Sequence, residues 1–101
     1  MGYPVIGTPQ SQDDLKSIVR YIREDSPQRA RAFGNTLIEQ DLSIGSFPEM
    51  ERVVPELDDR NVREITHRSY RIIYEVVSDP EAIYILRFWH GARGIPELPH
   101  G

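Results

Sequence analysis

Two β-rich stretches near the C-terminus, separated by a short turn, fix the kind of fold open to this chain. Tyr70 to Val77 reads Tyr-Arg-Ile-Ile-Tyr-Glu-Val-Val, and Ala82 to His90 is almost continuously apolar. Between them, Ser78-Asp79-Pro80-Glu81 has the composition of a turn. β-Branched and aromatic side chains favour a pleated sheet surface, and so short a connection permits only an antiparallel pair. The unbroken apolar character of the second stretch marks a central strand buried on both faces. A third run, Val62 to His67, is joined to Tyr70 by Arg68-Ser69 alone. It extends the pair into three antiparallel strands.

The N-terminal half carries a different period. After a short apolar run, Tyr3-Pro4-Val5-Ile6-Gly7-Thr8, which reads as an opening strand, Thr8-Pro9 is a helix start with Thr as N-cap and Pro in the first turn. Leu15, Ile18, Val19 and Ile22 then fall on one helical stripe. Ser26-Pro27 repeats the start signal, and Ala30, Phe33, Leu37 and Ile38 supply a second stripe that Gly45-Ser46-Phe47-Pro48 ends. Residues 49–61 read as an acidic loop, with room for a short strand at Arg52-Val53-Val54. Helices first and antiparallel strands after predict an α+β fold, with an N-terminal helix hairpin packed on one face of a twisted antiparallel β-sheet and the other face partly open. The 101 residues are expected to form a single domain, with 93–101 as an irregular tail.

Composition narrows the function. The chain has no cysteine, so thiolate metal sites and disulfides are excluded, and the three histidines lack ligand spacing. Neither a metal nor a cofactor is expected. The opening residues carry no positive charge and no long apolar stretch follows, which predicts a cytoplasmic protein without a membrane span. The net charge of −4 argues against a general nucleic-acid coat. The charge is uneven: residues 1–59 hold six basic and eleven acidic side chains (−5), and residues 60–101 hold six and five (+1). Arg60, Arg63, Arg68 and Arg71 fall within twelve residues, with His67 among them and only Glu64 opposing. This patch suits an anionic partner, or is a solvated hairpin with stray arginines.

Several blocks, taken together in order and spacing, resemble the RelE/ParE toxin superfamily, also called plasmid stabilisation proteins. They are Asp14-Leu15-Lys16-Ser17-Ile18, Tyr21-Ile22 with Asp25-Ser26-Pro27, Val54-Pro55-Glu56-Leu57, Val62-Arg63-Glu64-Ile65, Tyr70-Arg71-Ile72-Ile73-Tyr74 and His90-Gly91-Ala92-Arg93. The resemblance runs from about Thr8 to Leu98. It implies the toxin of a type II toxin–antitoxin pair, a growth inhibitor neutralised by a cognate antitoxin. Two activities stay open: ParE-like inhibition of DNA gyrase, and RelE-like cleavage of mRNA on the ribosome by a metal-independent endoribonuclease (an mRNA interferase). An inactive antitoxin-binding member is a third reading.

The resemblance also implies roles. In a nuclease, Arg71 would hold the scissile phosphate, Arg93 would stabilise charge in the transition state, and His90 would move a proton. Beside these stands the structural reading of Arg71 as an ion-pair partner of Glu64, and of Arg93 as a salt bridge at the sheet end. Arg60, Arg63, His67, Arg68 and Trp89 are candidates for contact with target or antitoxin. The stretch before the Tyr-Arg block has Arg63 but no lysine, no tyrosine follows Arg93, and the chain is acidic. These departures from the RelE pattern bring it closer to ParE-like members.

Overall fold

The computed structural model describes residues 3–46, 52–57, 59 and 61–98. Its elements run β1 (Val5–Gly7), α1 (Pro9–Asp25), α2 (Pro27–Ser46), β2 (Arg52–Val53), β3 (Val62–His67), β4 (Tyr70–Ser78) and β5 (Glu81–His90), followed by a 3-10 turn at Gly91–Arg93. Both helix starts use the caps expected of them. The Thr8 side chain accepts a hydrogen bond from the Ser11 N–H at 3.2 Å, and the Ser26 hydroxyl accepts one from the Arg29 N–H at 3.2 Å.

The five strands lie in the order β1-β5-β4-β3-β2. β2 to β5 pair antiparallel, but β1 runs parallel to β5, with Val5 opposite Ile83 and Gly7 opposite Ile85. The expected antiparallel sheet is present in β2 to β5, and β1 is added parallel at its edge. The parallel pair arises because the helix hairpin carries the chain away from β1 before any other strand forms, which gives the long crossover a parallel neighbour requires.

The helices cover one sheet face. Phe33, Leu37 and Ile44 of α2 are buried against Ile72, Tyr74, Val76, Ile83, Ile85 and Phe88, with Leu15, Ile18 and Ile22 of α1 at the margin. Each such fully buried side chain stabilises the fold by about 1.5–3 kcal/mol. Val19 stays half-buried outside this cluster, and the side chain of Ile38 lies outside the described set. The residues of α1 that are buried outright are polar, Ser11 and Asp14.

The second face is less open than the sequence suggests. Val54, Val62, Ile73, Leu86 and Trp89 form a separate buried cluster, with Leu57, Tyr84 and Leu98 packed against it. A register shift explains how β5 serves both faces. Ile73 pairs with Arg87 and Tyr74 with Ile85, so Leu86 is an extra residue. Such a bulge reverses the alternation beyond it. Phe88 therefore joins the helix side and Trp89 the other.

Candidate functional site

Arg71 projects from β4 on the face away from the helices, and each of its three guanidinium nitrogens is engaged. Nε donates to Glu64 Oε1 at 2.5 Å, while Nη1 and Nη2 donate to the two Glu56 oxygens at 2.8 and 2.7 Å. Glu64 is buried completely, and its other oxygen accepts from Arg52 Nε at 2.6 Å. The result is an alternating chain, Arg52–Glu64–Arg71–Glu56. The hydrogen bonds to Arg71 hold the Glu56 carboxyl below its ordinary value, and Glu56 foremost, then Glu64, holds Arg71 protonated. A guanidinium in this state has no open fork for a phosphate, and two carboxylates beside it repel one.

A second charged cluster closes the edge of β5 beyond the end of β1. Arg87 Nε and Nη2 donate to Asp14 at 2.8 and 2.9 Å, and Nη1 donates to the Glu97 carbonyl at 2.8 Å. Asp14 also accepts the Phe88 backbone N–H at 3.1 Å, standing in for the missing neighbour strand. The Asp14 and Arg87 side chains are only 8% and 9% exposed. In the sequence, Asp14 stands out only within a family block, and Arg87 is not singled out. The signal was there: an arginine set in Ile-Leu-Arg-Phe-Trp is a buried charge in need of a partner.

Trp89, a candidate anchor for a partner, is 2% exposed and belongs to the core of the second face. Its Nε1–H donates to the Gly94 carbonyl at 3.2 Å. The guanidinium carbons of Arg93 and Arg87 lie 3.8 and 4.9 Å from its ring centroid. Arg93 itself is exposed and makes no ion pair with a described residue, so of the two arginines singled out it is the one whose charge faces solvent.

The basic run from Arg60 to Arg71 is not one patch. Arg60 lies outside the described residues. Arg63 and His67 share β3 parity with Ile65, which packs on the helix side, whereas Arg71 faces the opposite way. Arg68 sits in the β3–β4 turn at φ 54°, exposed. His67 stacks near Phe33 at 5.6 Å between ring centroids, Phe33 meets Tyr70 at 5.3 Å, and Tyr70 meets His90 edge-on at 5.0 Å. These rings wall a cleft of about 380 Å³ between the helix hairpin and the β3–β4 turn. Burial, with the neighbouring Tyr21 adding to it, raises the Tyr70 phenol above its ordinary value. His90 Nδ1 accepts the Ala92 N–H at 3.0 Å. His90 pairs with Tyr70 and Arg71 with Trp89, so His90 and Arg71 stand on opposite sides of the sheet and do not converge.

The family model for the ParE toxin of the type II toxin-antitoxin system parDE matches residues 5–95. The chain belongs to this ParE toxin family. Among solved structures, a chain of the chromosomal ParDE TA system from P. aeruginosa is similar, with a TM-score of 0.69 and 20% sequence identity, over 87% of this chain and 95% of that one. At that identity the likeness is one of fold. No curated protein matches the chain.

Within this ParE-family chain the matched span takes in β1 through the 3-10 turn, and with them Arg71, His90 and Arg93. No helix among the described residues is long and apolar enough to cross a membrane.

Proposed function

We propose that this ParE-family chain is a growth-inhibiting toxin that acts in the cytoplasm by binding DNA gyrase, and that a cognate antitoxin neutralises it. The observation that carries the choice of a binding poison over a nuclease is the state of Arg71. All three of its guanidinium nitrogens are committed to Glu64 and Glu56, and Glu64 has no contact with solvent. Seating a phosphate there would mean displacing Glu56 and drawing Arg71 away from the buried Glu64, which would keep only the exposed Arg52 as its partner. His90 lies on the other face, so the three residues a nuclease would use do not surround one point. Arg93, exposed beside Trp89, is the basic group best placed to meet a macromolecular target.

The test pairs two assays with the purified chain. Gyrase supercoiling should be inhibited and recover when the antitoxin is added, while mRNA on programmed ribosomes stays intact. Cleaved mRNA, lost in Arg71→Ala, would overturn the binding reading in favour of the nuclease. Normal colony counts on induction without antitoxin would overturn the toxin reading and leave an inactive antitoxin-binding module.

A further inference from the structure

The helix-side cleft is chemically at odds with the chain around it. The sequence carries sixteen acidic side chains against twelve basic ones. Yet among the described residues Arg29, Arg68, His67 and His90 line this cleft and no carboxylate does, although Asp25 pairs with Arg29. In a chain with this excess of acid, a wall with two arginines, two imidazoles and no carboxylate of its own suits an anion.

Its other groups say which anion. Tyr21 projects from α1 into the lining with 73% of its surface exposed. An aromatic ring that the fold does not bury is a platform for another ring. Arg68 is held in the turn by a left-handed backbone (φ 54°), exposed, and makes no ion pair with a described residue. Arg29 gives Nη1 to Asp25 at 2.7 Å, which leaves the rest of its fork. His67 contributes its ring to the wall, although its Nε2 is shut away from solvent. Because His90 Nδ1 accepts from Ala92, the proton of the neutral ring sits on Nε2, which makes that atom a donor.

We propose that this cleft binds one nucleotide, either free as a monophosphate or as a single unstacked residue of a strand. The base stacks on Tyr21, the phosphate meets Arg68 and Arg29, and the His90 imidazole hydrogen-bonds the sugar or the base edge. The volume of about 380 Å³ lies in the range of small-ligand pockets. An acidic peptide would satisfy the cations but would have no use for the exposed ring. The site stands apart from the gyrase reading, and failure of one leaves the other intact.

The test titrates the purified chain, by calorimetry and amide NMR, with AMP, adenosine, inorganic phosphate, short oligo(A) as RNA and as DNA, and an oligoglutamate peptide. AMP should bind more tightly than adenosine or phosphate and shift amides near Tyr21 and in the 67–70 turn. Tyr21→Ala should weaken AMP about tenfold and reduce it to the level of phosphate. Arg68→Asn, a residue that tolerates the left-handed turn, should weaken AMP and flatten its salt dependence while leaving adenosine unchanged. Both positions are exposed, and unchanged circular dichroism would show that both variants fold. Tighter binding of an oligonucleotide than of AMP would assign the strand as the source, and equal binding the free nucleotide. The proposal is overturned if AMP binds no better than phosphate, if the shifts fall elsewhere, if neither variant weakens binding, or if only oligoglutamate binds.

Discussion

Charged residues in this chain are placed by their partners more than by their positions in the sequence. Asp14 and Arg87 are both buried, and they meet from elements at opposite ends of the chain. Asp14 also holds the Phe88 N–H, so one carboxylate satisfies both a cation and a strand edge. Removing its charge would strand the Arg87 guanidinium in a place with little access to water. Asp14→Asn is therefore expected to lower the unfolding free energy by about 3–5 kcal/mol, read from the urea midpoint. A double variant, Asp14→Leu with Arg87→Met, should lose less than the single one, because no lone charge remains. A loss below about 1 kcal/mol for Asp14→Asn would show that the pair does not organise this edge.

At the scale of elements, side chains join pieces that backbone pairing leaves loose. Thr8 caps α1 and also donates its hydroxyl to the Ile85 carbonyl at 2.7 Å, which fixes the helix start to β5. On the other side of the sheet, the Arg52–Glu64–Arg71–Glu56 chain holds the short β2 and the 54–57 segment onto β3 and β4. Its outer link should depend on pH. Arg71 depresses the Glu56 pKa below 4.5, so the stabilisation is fully present above that value and is lost as pH falls through the lower folded value. Glu56→Gln should cost about 0.5–1 kcal/mol at neutral pH, and the difference from the parent should shrink towards zero in strong acid. Urea unfolding at the two conditions reads this directly. An equal difference at both would show that the contribution is not an ion pair.

Over the whole molecule, two layers of helix and sheet are completed by a third covering. Residues 94–98 lie against the second sheet face, held by Trp89 to Gly94, by Arg87 to Glu97, and by the packing of Leu98. Pro96 is buried in this segment, so its residues act as a strap even though they form no regular element. A chain ending at Arg93 should expose the apolar cluster beneath. Trp89 is the one tryptophan in the sequence, so its emission reports on that face alone. The shortened chain should show red-shifted fluorescence, easier quenching by acrylamide and a lower Tm. Unchanged emission would mean that the loop at 54–57 covers Trp89 without the tail.

The sequence by itself determined the order and type of the elements. Caps such as Thr8-Pro9 and Ser26-Pro27, the helical spacing of Phe33 and Leu37, and the turn between Tyr70–Val77 and Ala82–His90 act within a few residues of themselves. The family was legible for the same reason, since its blocks follow one another along the chain. Only the tertiary structure decided which distant residues meet. The parallel seat of β1, the extra Leu86 that turns Trp89 into the core, the pairing of Asp14 with Arg87 across 73 positions, and the second carboxylate on Arg71 leave no local pattern. The same holds for the cleft, whose walls come from α1, α2 and three strands or their connecting turns. Coulomb attraction and burial act through space, and a linear sequence records how far apart two residues lie along the chain but not in the fold.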